Sequence, residues 1–220
     1  MRVILFLLSF GILSNCHSQV REDKVESTSV HIIDAVKNNQ QALVEKALKE
    51  GTKVNTEDSN KRSLLLIATI SGATDTAKLL VQYGADVNQQ DDKLDSPFLY
   101  AGASGQTELV KLYLAHGARF DIFNRYYGTA LIPASERGHV ETVRLLANTK
   151  DFPINHVNRL GWTALMEAVI LGNGGTKHQQ AVQILKDAGA DLNIPDHDGR
   201  TPLQHAKSLG FKEIVKILES

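Results

Sequence analysis

Eight histidines are the residues here best able to do chemistry: His17, His31, His116, His139, His156, His178, His197 and His205. A helical zinc hydrolase needs two of them four residues apart, so that both rings reach one ion, and no pair has that spacing. A serine hydrolase would carry Gly-x-Ser-x-Gly at a sharp strand-to-helix turn, which is also missing. Asp196-His197-Asp198 offers weak metal ligation but reads as a solvated turn tip, and Asp91, Asp92 and Asp95 read as a solvated acidic face. Gly172-Asn173-Gly174-Gly175 has the glycines of a phosphate cradle without the following Lys-Ser/Thr or a preceding strand, so it reads as a flexible loop. A hydrolase or metal-dependent enzyme could be built only around that loop with His156 and His178, and nothing supplies a nucleophile, a base and an oxyanion donor together. We therefore expect no enzyme, no cofactor, no metal and no small-molecule substrate.

The single cysteine, Cys16, excludes an internal disulfide and a cysteine-based zinc site. Twenty-four basic residues against 25 acidic ones give a net charge of −1, which argues against a protein that grips nucleic acid. With 42% hydrophobic and 22% charged residues, the 220-residue chain has a globular composition and the length of one domain with a tail.

The tail is at the N-terminus. Met1-Arg2 precedes an apolar run from Val3 to Leu13, too short to span a bilayer stably, and residues 1–15 read as a secretory signal peptide. Leu13-Ser14-Asn15-Cys16 resembles the lipobox of bacterial lipoproteins, with Asn15 departing from the usual Gly, Ala or Ser. That resemblance implies lipid on Cys16 and residence in the bacterial cell envelope, at the outer membrane or periplasmic face. An ordinary secreted protein with an incidental Cys16 is the alternative. Residues 16–29 then form a polar tether with a reach of about 20 Å.

From residue 30 the chain repeats itself. Short apolar blocks end at Ala35, Ala68, Ala101, Ala134, Ala168 and Ala206, and a second series, Asn55, Asn88, Asp121, Asn155 and Asn193, keeps the same phase. A period near 33 residues marks a solenoid of stacked units, none able to bury its apolar stripe alone. Ser63, Ser96, Thr129, Thr163 and Thr201 stand where a helix N-cap is needed, and Gly84, Gly117 and Gly189 where a second helix must stop.

Thr201-Pro202-Leu203, Gly138-His139-Val140-Glu141, Gly84-Ala85-Asp86-Val87-Asn88 and Gly189-Ala190-Asp191-Leu192-Asn193 together resemble ankyrin repeats. The resemblance implies an all-α solenoid of about six helix-turn-helix repeats, near 30–55, 56–88, 89–121, 122–155, 156–193 and 194–220, joined by short hairpin fingers. It implies a monomer whose fingers and first helices bind another protein. The residues falling on the fingers are Asp92, Lys93 and Asp95; Arg125, Tyr126 and Tyr127; Arg159, Leu160 and Trp162; and His197, Asp198 and Arg200. Trp162 falls at a position normally open to solvent, and with Tyr126, Arg125 and Arg159 it has the composition of an interface hot spot. An immunity or accessory protein serving one periplasmic enzyme or toxin is a variant of the same reading.

Three departures carry expectations of their own. Leu66, Leu99, Ile132, Met166 and Gln204 replace the family's first-helix histidine, so its hydrogen bonds should give way to packing. The fourth repeat lacks a closing glycine, so its second helix should end irregularly. The fifth carries about five extra residues around 172–177.

Overall fold

The computed structural model describes residues 31–220; the signal segment, Cys16 and the tether lie outside them. The described residues form twelve helices: α1 (31–37), α2 (Gln41–Lys49), α3 (Leu64–Ile70), α4 (Thr74–Gln82), α5 (Pro97–Ala103), α6 (Thr107–Ala115), α7 (Leu131–Glu136), α8 (Val140–Ala147), α9 (Ala164–Ile170), α10 (Thr176–Asp187), α11 (Pro202–Ser208) and α12 (Lys212–Glu219). They contain no strand, only one isolated antiparallel bridge between Glu57 and Ser63, and no helix long and apolar enough to cross a membrane. Odd-numbered helices from α3 to α11 pack in sequence as one layer, and even-numbered helices from α2 to α12 as a second. This is the all-α solenoid that the period demands.

Each first helix starts for a local reason. Ser63, Ser96, Thr163 and Thr201 hold an extended backbone and accept the N–H of Leu66, Leu99, Met166 and Gln204 at 3.1–3.4 Å. Thr129 is the exception: its hydroxyl is buried without a partner, and α7 begins later, at Leu131. In the other four repeats the cap carbonyl accepts the N–H four residues on, as from Ile67 to Ser63 at 2.9 Å. Pro133 occupies that place after Thr129 and has no N–H to give, so the first turn cannot close.

The core is a continuous ladder. The alanines Ala35, Ala68, Ala101, Ala134, Ala168 and Ala206 are buried at every step, beside Val44, Leu80, Val110, Val143, Val182 and Ile214 from the second helices. Where the family carries histidine, Leu66, Leu99, Ile132 and Met166 are at most 3% exposed, so packing does replace the polar contact there. Polar ties between repeats come instead from the start of the second helices. Gln106 Nε2 donates to the Thr69 carbonyl at 3.0 Å, and His178 Nε2 to that of Glu136 at 2.8 Å. His139 stands at the same register, its ring packed so closely over Gly105 (φ +70°) that a Cβ there would lie 2.5 Å from it.

The asparagine series has its own explanation. Asn55, Asn88 and Asn155 each accept a backbone N–H from the next repeat's loop, at Asp86, Arg119 and Asp191, over 2.8–2.9 Å. Asp121 breaks the series and pairs with Arg119 at 2.7 Å.

Two departures resolve physically. Without a glycine, α8 ends on side chains: Asn148 and Thr149 donate to the carbonyls of Arg144 and Leu145, and Asp151 takes the left-handed turn at φ +60°. The extra residues of the fifth repeat are only partly loop. Thr176 and Lys177 already belong to α10, which has 12 residues against eight or nine in the other second helices of the series. The insertion lengthens the outer layer by about one turn.

A candidate recognition groove between three fingers

Five fingers, residues 58–62, 91–95, 124–128, 158–162 and 196–200, share one construction. Their first residue (Asp58, Asp91, Asn124, Asn158 or Asp196) accepts the N–H groups two and four positions on through a single side-chain oxygen, at 2.8–3.1 Å. Its own N–H donates to the carbonyl of the fifth residue, closing the loop. The fourth residue is left-handed throughout, as Lys61, Leu94, Tyr127, Gly161 or Gly199. A single side-chain oxygen therefore fixes each finger tip, and the first helices fix where it points.

Between the 91–95, 124–128 and 158–162 fingers and helices α5, α7 and α9 lies a groove of about 530 Å³. Asp95, Arg125, Tyr126 and Leu160 reach it from the fingers. Arg125 holds Asp95 at 3.3 Å and lies 5.3 Å from the Tyr126 ring centroid. Burial raises the Asp95 carboxyl above its ordinary range, against the pull of Arg125. Tyr126 and Leu160 stay open, at 53% and 45% exposure.

Other finger residues go elsewhere. Tyr127 leans on Phe123 (centroids 4.3 Å apart), and His156 stacks on Phe123 at 4.4 Å while donating to the Tyr127 carbonyl. These rings fill the gap between two fingers rather than line the groove. Asp92 pairs with Lys61 at 3.2 Å, and Lys93 is exposed. Arg159 donates its backbone N–H to Tyr126 and its guanidinium to the Arg125 carbonyl, tying adjacent fingers. His197, Asp198 and Arg200 sit on the last finger, away from the groove, with the His197 ring over Gly161.

Trp162 is the correction. It is half-buried and does not line the groove. Its place as fifth finger residue is shared by Arg62, Asp95, Gly128 and Arg200, and all but Arg200 are at least partly covered. Trp162 thus stands outside the set of residues, Tyr126 among them, that line the groove.

The acidic tip at 196–198 is tied into its own finger and the helix behind it. Asp196 spends one oxygen on its own finger and the other on His205 Nε2 at 2.6 Å, so its carboxyl is held below the usual range by the Arg200 N–H and by His205. Among the described residues no three metal-ligating side chains converge. His156 and His178 each serve a different structural tie.

Sequence reading missed the groove floor. Glu167 on α9 is 5% exposed, and Asn158 Nδ2 donates to its Oε1 at 2.7 Å. Burial, reinforced by the nearby Glu136 carboxylate, pushes the Glu167 carboxyl up to about 7. Glu136, Arg137, Tyr100 and Leu171 complete the floor and far wall. The signal was a charge inside an apolar block, Ala-Leu-Met-Glu-Ala, nine residues after a finger asparagine. His205 stands nine after Asp196 and makes the equivalent tie.

Asn158 thus holds a finger and a buried carboxyl at once. Asn158→Ala should cost about 2 kcal/mol in urea unfolding, roughly 1 kcal/mol more than Asn124→Ala, which frees a similar turn without orphaning a carboxyl.

Comparison with known proteins agrees with this architecture. The profile of a family described as ankyrin repeats (three copies) matches residues 6–91, 32–124 and 98–196. An ankyrin repeat domain from Acinetobacter baumannii AYE is 47% identical with a TM-score of 0.83, covering 86% of this chain and 95% of its own. The ankyrin repeat protein EF0377 is 38% identical with the same TM-score, covering 86% and 96%. YahD of Escherichia coli (strain K12), named as an ankyrin repeat protein, is 42% identical over 94 residues, 43% of this chain and 47% of YahD. The mitochondrial disaggregase of Bos taurus is 38% identical over 86 residues, 39% of this chain and 12% of that protein, so the chain spans about half or less of these two relatives. Capped first helices, finger turns and profile matches over most of the length coincide in one register: the chain belongs to the ankyrin repeat family.

Proposed function

We propose that the protein is a binding module that does no covalent chemistry and engages a partner protein through the groove between the 91–95, 124–128 and 158–162 fingers. The observation that carries this is an open groove of about 530 Å³ whose rim presents Tyr126 and Leu160 from finger turns already fixed by their own hydrogen bonds. Ankyrin repeats are a general protein-interaction fold, and a preformed surface loses little conformational entropy on binding. In this proposal the module acts as a monomer, and lipid on Cys16 anchors it in the bacterial envelope through a tether that leaves the groove free to turn.

The test is affinity capture from a bacterial envelope fraction. A specific partner should be lost with the Tyr126→Ala/Leu160→Ala double variant and retained with Arg200→Ala, which is exposed outside the groove. Equal capture by all three proteins would refute the assignment of the face. Mass analysis of the mature N-terminus decides the anchor: a diacylated or triacylated Cys16 supports it, and a free cysteine or a cut elsewhere removes it.

A further inference from the structure

We infer that the groove is a socket for a basic side chain of the partner protein, with the Glu167 and Glu136 carboxylates at its floor as the anchor. This rests on the assignment of the groove as the binding face and specifies what enters it.

Glu167 is more than nine-tenths buried, yet only one of its carboxylate oxygens is used. Asn158 donates to Oε1, no described residue donates to Oε2, and the residue lines the groove. The same register holds Ile67, Tyr100 and Pro133 in three other repeats, so the fold can fill it without a carboxylate, and His205, tied to Asp196, in a fourth. Glu136, at the end of α7, lines the same groove and interacts with it electrostatically. The groove carries three carboxylates (Asp95, Glu136, Glu167) against two guanidiniums (Arg125, Arg137). Arg125 is engaged by Asp95, and Arg137 donates to the Ala103 carbonyl. Carboxyl groups in the groove thus outnumber guanidiniums by one.

The walls fit the same occupant. Tyr100, Ile132, Leu160 and Leu171 offer apolar surface to an aliphatic stem, and Tyr126 at the rim already carries one guanidinium on its ring face. A cation reaching Glu167 would recover the solvation that burial removed. The raised Glu167 carboxyl, near 7, is consistent with a charge that lacks its counterion. Glu136 and Arg137 of α7 are the charged groups that perturb it; none on α10 or α11, which also pack against α9, does so.

The probe is N-acetyl-arginine methylamide, titrated into the isotope-labelled protein and followed by backbone amide shifts, with the citrulline analogue as an uncharged isostere. The arginine probe should move the amides of Gly128, Leu160 and their neighbours, and citrulline should not. Since the occupant needs ionised Glu167, affinity should fall about tenfold from about pH 8 to about pH 6. Glu167→Gln keeps an oxygen for Asn158 and should abolish the shifts, and Glu136→Gln should weaken them. Equal shifts from citrulline, binding that survives Glu167→Gln, or no response to arginine overturns the socket. If the captured partner depends on Tyr126 and Leu160 while Glu167→Gln leaves it bound, the face stands and the socket fails. Arginine binding with capture indifferent to Tyr126 and Leu160 overturns the socket as a partner site.

Discussion

Glu167→Gln should stabilise the protein above neutral pH and flatten its pH dependence. In the folded chain the carboxyl is raised from 4.5 to about 7, mainly by burial and then by Glu136. A raised carboxyl contributes stability that is complete below the unfolded value and lost as pH rises through the folded one. The wild type should therefore lose about 3 kcal/mol between pH 4.5 and pH 7 from this group. His139, held below its ordinary range by burial and Arg137, acts on the acid side with the opposite sign. Subtracting the variant's profile removes that background. Urea unfolding across the window should show the two curves diverging as pH rises, with Glu167→Gln the more stable above it; parallel curves would mean that the Glu167 carboxyl titrates alike in the folded and unfolded chain and is not raised by its burial.

The second large effect runs along one register. Leu66→Ala, Leu99→Ala, Ile132→Ala and Met166→Ala each empty a site at most 3% exposed, and each should cost about 3 kcal/mol. Gln204 holds the same position in the last repeat, exposed, with its side chain closing a capping box on the Thr201 N–H at 2.8 Å. Gln204→Ala should therefore cost only about 1 kcal/mol. Thermal unfolding of the five variants reads the contrast, and a Gln204→Ala loss equal to the others would show that the terminal repeat does not differ in kind.

The fold was legible because a solenoid writes its geometry into the chain as a period, and every cap and stop glycine recurs in phase. Ser63 and Thr163 behave as their spacing requires. Thr129 does not, since Pro133 four positions later withholds the donor that closes the turn, an interaction between two residues that no single motif contains. The groove was half legible. Finger residues such as Tyr126 and Leu160 follow from the register alone. Trp162 could not be placed that way: its register marks it as a finger residue, yet it is half-buried and stands outside the groove lining. Glu167 was hidden for the opposite reason: inside an apolar block, a carboxyl looks like an irregularity until the structure shows the open space beside it.

The longer α10 has a consequence for how such a chain can change. Its extra turn lies in the outer layer, while the finger construction on either side, at Asn158 and Asp196, is the same. Growth of the chain at that point leaves the spacing of the contact surface intact, so this segment is a natural seam for duplications, labels or grafted peptides, and genetic drift in repeat length can gather there without disturbing what the other side holds.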